Sequence, residues 1–374
     1  MKIQLSDNDK RLNFAPLTLT RPVGDLRVGI LTNSERWKLF VPDCSVTFET
    51  DKYLAAVFAD DLGDLIVNAC VVPNEDLVER ILNLKVNESL VWQGEWIARK
   101  GTGDIIVKYE QEPIILKERW DIYQRNSHAL ASDFRLLTKG RTSTQLSSTN
   151  TIIGDPSMIF LEEGAIVEAA ILNVTKGPIY IGKNAEIMEG SVVRGPFAML
   201  DSSVLKIGAK IYGPTTLGPH CKVGGEVNNC IFQAYANKGH DGFLGNSLIG
   251  AWCNIGADSN TSNLKNNYSN VRTYSYQEKG LVQTDVQFMG LVMGDHSKCG
   301  INTMFNTASV VGVSCNVFGS GFPNKYLPSF SWGNAGDRFD FEKALIGINN
   351  MMDRRGLQLS DGEKKILRYI FDRK

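Results

Sequence analysis

Residues 181–223 decide the fold, and they read IGKNAEIMEGSVVRGPFAMLDSSVLKIGAKIYGPTTLGPHCKV. Every sixth residue of this stretch is apolar: Ile181, Ile187, Val193, Met199, Leu205, Ile211, Leu217 and Val223. An amphipathic helix repeats every 3.6 residues and a half-buried strand every two, so neither produces this spacing. A six-residue period is typical of a parallel β-helix, in which each hexapeptide supplies one short strand and one corner. We therefore predict a β-helix whose core these residues line.

The period returns twice further along the chain. Its later members are Phe243, Ile249 and Ile255, followed by Met293, Cys299, Phe305, Val311 and Val317. A glycine often follows the inward residue, as at Gly218 and Gly312, and we expect it to form corners because glycine reaches positive φ without steric cost. Trp252, inside the repeat, is expected to face outward and contact a neighbouring chain.

The region before the repeat has a different pattern. Short apolar runs at 53–57 and 65–72 predict strands, and Asn74 is a suitable N-cap for the helix that follows it. Strands that alternate with a helix predict an α/β domain over residues 1–145. A polar stretch at 139–150, rich in Ser and Thr, is the expected linker to the β-helix, which we place at 150–330.

The region after the repeat, residues 335–374, is predicted to form C-terminal helices. Gly356 is suited to end the first helix, and Ser360 with Glu363 forms a capping box that begins the second. Because a solenoid needs closed ends, we expect these helices to cover the end of the β-helix.

Composition excludes several classes of protein. The 40 Lys+Arg residues balance 41 Asp+Glu residues, so nothing predicts binding to nucleic acid or to an anionic membrane. The chain begins MKIQLSDNDK, without a secretory signal, and it has no apolar run of about 20 residues. Its 7 Cys residues form no Cys-x-x-Cys pair, which predicts reduced thiols and no metal site. A cytoplasmic location is expected.

The first break in the repeat contains the residues best suited to chemistry. Here the chain reads KGHDGFLGN at 238–246, NIGA at 254–257 and a further asparagine at 263. A β-helix has no structural need for His240 or for an asparagine cluster at this place. Loops that interrupt a rigid scaffold often carry binding or catalytic residues.

This stretch resembles the acetyltransferase half of a bacterial bifunctional enzyme family, the UDP-N-acetylglucosamine pyrophosphorylase/glucosamine-1-phosphate acetyltransferases. The resemblance includes the spacing from His240 to Asn254 and to Asn263. It implies a left-handed β-helix, a homotrimer with sites between chains, and acetyl-CoA or another acyl-CoA as donor. It also implies a sugar phosphate or nucleotide sugar as the acceptor.

The resemblance implies roles for individual residues. His240 would be the general base, because imidazole titrates near neutral pH, and Asn254 and Asn263 would bind the reacting groups. The implied substrate-binding residues are Glu226, Asn228, Lys238, Phe243 and Lys210. Phe243 and Asn228 stand where the family has a tyrosine and a lysine. These replacements leave open an acceptor other than glucosamine-1-phosphate, including one without phosphate. The structural alternative is that His240 is an ordered loop residue beside stacked corner asparagines.

The N-terminal segment resembles the sugar-1-phosphate nucleotidyltransferases. Arg11-Leu12 and PLTLTRP at 16–22 match part of their Arg-Leu-x-Pro-Leu-Thr-x-x-x-Pro-Lys run, which implies Arg11, Thr18 and Arg21 as nucleotide-binding residues. Residues 1–10 lack the glycines of the family's phosphate loop, and Val23 replaces its lysine. A truncated, degenerate domain is expected, and Mg²⁺ is implied only if that domain is active.

Three functions therefore remain open at this point. The first is a CoA-dependent acyltransferase that acts on an amino sugar phosphate or a related sugar. The second is a sugar-1-phosphate nucleotidyltransferase with a β-helix that forms trimers. The third is a non-catalytic scaffold that binds nucleotide sugars.

Overall fold

The computed structural model describes residues 1–373 and begins with an α/β domain. The strands of its N-terminal sheet, from edge to edge, are Ser45–Glu49, Lys2–Ser6, Leu65–Asn68, Glu95–Arg99, Glu88–Trp92 and Ile105–Lys108. The first three run parallel, whereas Glu95–Arg99 pairs antiparallel with both of its neighbours. Helices α1 to α4 span Asn33–Phe40, Glu75–Leu82, Arg119–Gln124 and Asn126–Thr138. Short 3₁₀ helices span Arg11–Phe14, Leu17–Leu19, Val23–Asp25, Lys52–Ala56 and Pro156–Met158.

The local predictions for this domain had mixed outcomes. The helix is confirmed: the Asn74 side chain accepts a hydrogen bond of 2.9 Å from the Leu77 backbone N–H. The run 65–72 divides into two strands, Leu65–Asn68 and Val71–Val72, and the second pairs with Ile114–Ile115. The predicted strand at 53–57 is wrong. That run forms the 3₁₀ helix Lys52–Ala56, because a single turn is enough to bury Leu54 against the C-terminal helices.

A left-handed parallel β-helix follows, as predicted, and its coils build three parallel faces. Face 1 contains Ile159–Leu161, Ile179–Ile181, Phe197–Met199, Thr215–Leu217, Ile231–Phe232, Leu248–Ile249, Val292–Met293, Val310–Val311 and Tyr326–Leu327. Face 2 contains Ile166–Val167, Glu186–Ile187, Val204–Leu205, Lys222–Val223, Asn237–Lys238, Asn254–Ile255, Lys298–Cys299, Asn316–Val317 and Ser331–Trp332. Asp337–Arg338 extends this face but pairs antiparallel with Ser331–Trp332. Face 3 contains Thr151–Ile153, Ile171–Asn173, Val192–Arg194, Lys210–Tyr212, Glu226–Asn228 and Phe243–Gly245. A short sheet of Asn260–Thr261 and Met304–Phe305 follows it.

The six-residue period lines the core of the β-helix as predicted. All eight residues from Ile181 to Val223 are at most 1% exposed. One later member, Phe243, does not point inward; its neighbour Leu244 takes that place at 2% exposure. The coils explain the shift, because Leu244 and Ile249, the inward residues of successive faces, are only five positions apart.

The corner glycines have a different cause from the one predicted. Gly218 and Gly312 do not have positive φ. A Cβ at Gly218 would lie 1.5 Å from the Gln233 carbonyl oxygen, and one at Gly312 would lie 2.4 Å from the Ser329 nitrogen. The next coil passes so close that only glycine fits. Left-handed corners are instead formed by residues such as Asn184 and His220.

The α/β domain packs on face 1. Ile231, Leu248 and Val292 of that face belong to the same buried cluster as the core of the domain. A buried ion pair adds to the contact, with Arg21 Nη2 at 2.5 Å from Asp295 Oδ2. An insertion before Val292–Met293 carries the hairpin Arg272–Ser275 and Gly280–Gln283, which also contacts the domain.

The C-terminal helices α5, Phe341–Asp353, and α6, Asp361–Asp372, lie on the corner between faces 1 and 2. The predicted capping box of Ser360 and Glu363 is confirmed, and Gly356 has a φ of +67° after α5. These helices cover Trp252, which is 7% exposed and stacks on Tyr235 at 4.1 Å. The expected contact of Trp252 with another chain is therefore wrong. No helix within residues 1–373 is long and apolar enough to cross a membrane.

Candidate functional site

His240 lies at an exposed corner of the β-helix, between the face 2 strand Asn237–Lys238 and the face 3 strand Phe243–Gly245. The corner is shaped by backbone contacts with adjacent coils. Gly242, with a φ of +112°, sits where a Cβ would lie 2.2 Å from the Ser259 carbonyl oxygen. The Asp258 N–H donates to the Asp241 carbonyl at 3.1 Å. The His240 imidazole is therefore exposed to solvent on a turn whose backbone packs closely on Asp258 and Ser259 of the next coil.

Lys238 lies inside the β-helix, although the resemblance implies that it contacts substrate. It occupies the inward position beside Val223 and is 1% exposed. Its ammonium group donates to the His240 carbonyl at 2.8 Å and to the Gly224 carbonyl at 3.1 Å. Burial lowers the pKa of Lys238 to about 8. From inside the β-helix, the lysine thus holds the backbone of the turn that carries His240.

Three of the implied substrate residues share one column on the outer surface of face 3. Lys210 pairs with Glu226, and Glu226 pairs with Phe243. Neighbouring strands are about 4.8 Å apart, so adjacent side chains in this column can contact one ligand. The next coil continues it with Asn260, whose Oδ1 accepts a hydrogen bond of 2.8 Å from the Phe243 N–H.

Asn228 and Asn263 belong to the parallel column beside it. Asn228 pairs with Gly245, and a Cβ at Gly245 would lie 2.6 Å from Asn263 Nδ2. The amide of Asn263 also donates to Asn246 Oδ1 at 2.7 Å. Face 3 therefore carries a patch of amides, one carboxylate and one aromatic ring beside the histidine turn.

Asn254 lies on face 2, on the other side of the corner. It pairs with Asn237, whose side-chain oxygen is buried without a hydrogen-bond partner in the described chain. The same column contains Lys222 in the preceding coil and Lys298 in the following one. The two faces thus offer two different surfaces on either side of His240.

The implied nucleotide-binding residues of the N-terminal domain are engaged in internal contacts. Arg11 pairs with Asp51 at 2.9 Å and donates to the Thr18 carbonyl at 2.8 Å. Thr18 is fully buried and donates back to the Arg11 carbonyl at 2.5 Å. Arg21 forms the ion pair with Asp295 of the β-helix.

A cavity of about 660 Å³ opens at the carboxyl ends of the parallel strands Lys2–Ser6 and Ser45–Glu49. Ligands of α/β proteins usually bind at this edge of the sheet. Its lining includes Asp7, Glu49 and Asp51 but only two cations, Arg11 and Arg99. Burial raises the pKa of Asp7 to about 6. Across residues 1–373, no three His, Cys, Asp or Glu side chains gather in a way that could hold a metal ion.

Sequence reasoning missed two features of these sites. The partner of Arg21, Asp295, is 274 residues away, and no local pattern connects the two. The inward position of Lys238 was readable from strand alternation, since Asn237 and Lys238 must point to opposite faces. Because Lys238 is close to His240 in the sequence, we expected it to lie on the surface and bind substrate.

Comparison with known proteins extends these observations. A family model described as "Sugar nucleotidyl transferase" matches residues 3–142. The chain is 26% identical over 150 residues to YaiX of Escherichia coli (strain K12), named as an uncharacterized acetyltransferase; the match covers 39% of the chain and 64% of YaiX. It is 25% identical over 220 residues to the bifunctional protein GlmU of Synechococcus elongatus, covering 53% of the chain and 44% of GlmU. The chain therefore spans less than two thirds of either relative.

Solved structures with some likeness include the polySia specific acetyltransferase NeuO and the Arabidopsis UDP-N-acetylglucosamine acyltransferase. Their TM-scores are 0.27 and 0.25, with 10% and 14% identity. Each covers 56% of this chain, which corresponds to 99% and 77% of those chains. The family match and the strand topology together describe a nucleotidyltransferase-like domain that is joined to a left-handed β-helix with C-terminal helices.

Proposed function

We propose that the protein is a CoA-dependent acyltransferase whose acceptor is an amino sugar phosphate or a related sugar. One observation carries the proposal. His240 is exposed at a corner of the β-helix whose backbone is held by a hydrogen bond from Lys238, and faces 2 and 3 on either side carry hydrogen-bonding groups. The sequence similarity to proteins named as acetyltransferases supports it.

His240 would act as the general base. Its imidazole would accept the proton of the acceptor amine or hydroxyl as the acceptor nitrogen or oxygen bonds to the acyl carbon. The carbon–sulfur bond breaks, and the proton passes from the imidazole to the leaving thiolate. The bond from Lys238 to the His240 carbonyl would keep the imidazole in place during this transfer.

Face 2 has donors that fit an acyl-CoA, which would supply the activated thioester. Asn237 and Asn254 can pair with amide groups, and Lys222 and Lys298 can neutralise phosphates in the same column. Asn254 is the residue of this column for which the family resemblance also implies a role.

Face 3 would bind the acceptor sugar. Glu226 can accept hydrogen bonds from hydroxyl or amino groups, and Phe243 can pack on an apolar sugar face. Asn228 and Asn263 offer amides beside them, and Lys210 is the cation of this column. A surface with one carboxylate and one lysine suits an amino sugar at least as well as a sugar phosphate.

A homotrimer is part of the proposal. Earlier strands of face 3 carry exposed apolar side chains, with Ile153 43%, Ile171 39%, Val192 37% and Tyr212 41% exposed. These residues share the face that carries the proposed acceptor site. A neighbouring chain that packed there would bury them and complete the site. Light scattering during size-exclusion chromatography would give the mass of about three chains, and a monomer would contradict this part.

The acyltransferase is tested by thiol release from acetyl-CoA with a panel of amino sugars and their phosphates. His240→Ala should lose at least about 100-fold in kcat, the usual contribution of a general base. The matched control is His128→Ala, which removes an exposed histidine from α4 and should keep full activity. Turnover by His240→Ala at the wild-type rate would refute the proposed base.

A sugar-1-phosphate nucleotidyltransferase is the second candidate, supported by the family match and by the cavity at the sheet edge. It predicts release of pyrophosphate from UTP or dTTP with a sugar phosphate. Among residues 1–373, no three His, Cys, Asp or Glu side chains gather to hold the Mg²⁺ that an active domain would imply. Binding of nucleotide sugars without turnover of either donor would instead identify a scaffold.

A further inference from the structure

A second cavity, of about 700 Å³, lies between the α/β domain, the inserted hairpin, the last coils and α6. We call it the tyrosine cavity, after Tyr53, Tyr274, Tyr276, Tyr326 and Tyr369, which line it together with Phe330 and Phe371. None of the residues placed at the histidine corner lines it. Its volume falls within the range of small-molecule sites in proteins.

The aromatic rings of the tyrosine cavity hold one another in place. Tyr274 and Tyr326 stack with centroids 3.5 Å apart, and Tyr276 meets Tyr274 edge-on at 5.3 Å. On the opposite wall Tyr53 stacks on Tyr369 at 4.0 Å. Side chains that are already fixed lose little conformational entropy when a ligand binds.

The lining carries an excess of positive charge. It contains Arg11, Lys279, Arg338 and Arg373, and no carboxylate. Asp51 neutralises Arg11 at 2.9 Å. Among residues 1–373, the other three cations form no ion pair. The cavity is therefore suited to an anion.

One buried polar atom in the cavity also lacks a partner. The Tyr276 hydroxyl is buried beside the Tyr326 hydroxyl but meets no partner in good hydrogen-bond geometry within the described structure. A buried hydroxyl without a partner is costly, so such groups usually meet a ligand or a water molecule. The guanidinium of Arg338 is held 4.0 Å from the centroid of the Phe371 ring and donates to the Phe371 carbonyl at 3.0 Å. Its remaining N–H groups can bind an anion.

We propose that the tyrosine cavity binds a nucleoside diphosphate moiety. The base would lie against the tyrosine rings, because every nucleobase has a π face that stacks on aromatic side chains. The phosphates would bind Lys279, Arg338 and Arg373 through charge-assisted hydrogen bonds. Two sources share this chemistry: a free nucleotide or nucleotide sugar, and CoA, which contains an adenosine diphosphate.

Calorimetric titration of the full chain with UDP, ADP and CoA tests the proposal. The double variant Lys279→Gln/Arg338→Gln should weaken binding by about tenfold or more, because each lost charge-assisted bond removes affinity. Both side chains are exposed at the cavity mouth, so the fold should persist. Lys343→Gln, an exposed lysine of α5 outside the cavity, is the matched control and should bind as the wild type does.

Further ligands and variants separate the contributions of base, phosphate and hydroxyl. Uridine and adenosine should bind about tenfold or more weakly than their diphosphates, since they lack the phosphates. Tyr276→Phe should weaken binding a few-fold, because it removes the buried hydroxyl that would bond to the ligand. If CoA binds more tightly than ADP and UDP, and if the double variant loses this binding, CoA is the source, because CoA on face 2 would not depend on Lys279 or Arg338. The reverse order of affinities would identify a nucleotide or nucleotide sugar.

Two results would overturn the proposal: no binding of UDP, ADP or CoA with a Kd below about 1 mM, or equal binding by the double variant and the control. His240→Ala should bind UDP unchanged, because no residue of the histidine corner lines the tyrosine cavity. Failure of the acyltransferase proposal would therefore leave this one standing, and the reverse also holds.

Discussion

Replacing Lys238 with methionine should change how the stability of the protein depends on pH. Lys238 holds an inward position of the β-helix, where the neighbouring coils place Val223 and Ile255. Methionine has a similar length and fills the same space without a charge. The substitution therefore removes the ammonium group and keeps most of the packing.

The magnitude follows from the pKa of the lysine. Burial lowers this pKa from 10.5 to about 8, and the nearby Asp241 carboxylate offsets only part of the effect. A difference of this size corresponds to about 3 kcal/mol between the protonation states. Between pH 8 and 10.5 the unfolded chain binds more protons at this site than the folded chain. Stability therefore rises with pH across this window, and the cost of the buried charge is fully present below pH 8.

The buried cysteines act in the opposite direction. Burial raises the pKa of Cys221 and of Cys230 to about 12. Their thiols ionise in the unfolded chain above about pH 8.5 but stay protonated in the folded chain, so stability falls as pH rises. A pH curve of the wild type alone would mix the two effects. Subtracting the curve of Lys238→Met removes most of the cysteine contribution, because both proteins contain the same thiols and the Lys238 charge is only a minor influence on the pKa of Cys230.

Urea unfolding, followed by tryptophan fluorescence at several pH values from 7 to 10.5, measures this difference. The free energy of unfolding of the wild type should rise by about 3 kcal/mol relative to Lys238→Met across the window. Lys176→Met, at an exposed position of the β-helix, should follow the wild type at every pH. Parallel curves for the wild type and Lys238→Met would refute a buried ammonium at this position.

Two further predictions concern the histidine turn and the contact between the domains. Gly242→Ala should destabilise the protein by about 1–3 kcal/mol, because its φ is +112° and a Cβ would lie 2.2 Å from the Ser259 carbonyl. Gly239→Ala, on the other side of His240, meets nothing within 4 Å and should melt within a few degrees of the wild type. Arg21→Gln should cost about 3–5 kcal/mol in chemical unfolding, because it leaves the buried Asp295 carboxylate without its cation. A loss below about 1 kcal/mol would show that Arg21 does not anchor the domain.

The β-helix was predictable because its core depends on a local repeat. Residues from Ile181 to Val223 advance by one face every six positions, so their inward direction is visible in the sequence alone. The prediction failed at Phe243, because the inward residues Leu244 and Ile249 are five positions apart in place of six. A shortened coil shifts the inward register, and nothing in the apolar pattern shows where the lost residues were.

The chemistry of the corner was only partly predictable. His240, Glu226 and Phe243 could be selected from their residue types and spacing, and whether they act on a substrate stays a prediction. The glycine corners were located correctly but for the wrong reason, since closeness to the next coil is a property of stacking. The tyrosine cavity has no sequence signature, because Tyr53, Tyr276 and Tyr369 come from distant segments that only the fold brings together.

The N-terminal motif shows why residue types alone do not establish a function. Arg21 matches a position in the nucleotidyltransferase run, yet its guanidinium pairs with Asp295 of the β-helix at 2.5 Å. A buried arginine with this partner cannot also neutralise a nucleotide phosphate unless the ion pair breaks and leaves the Asp295 carboxylate buried without its cation. The contact between the domains therefore competes with nucleotide binding at Arg21. Any nucleotide that binds the α/β domain must therefore be held by other cations. Two cations, Arg11 and Arg99, line the sheet-edge cavity, and of these Arg99 forms no ion pair among residues 1–373.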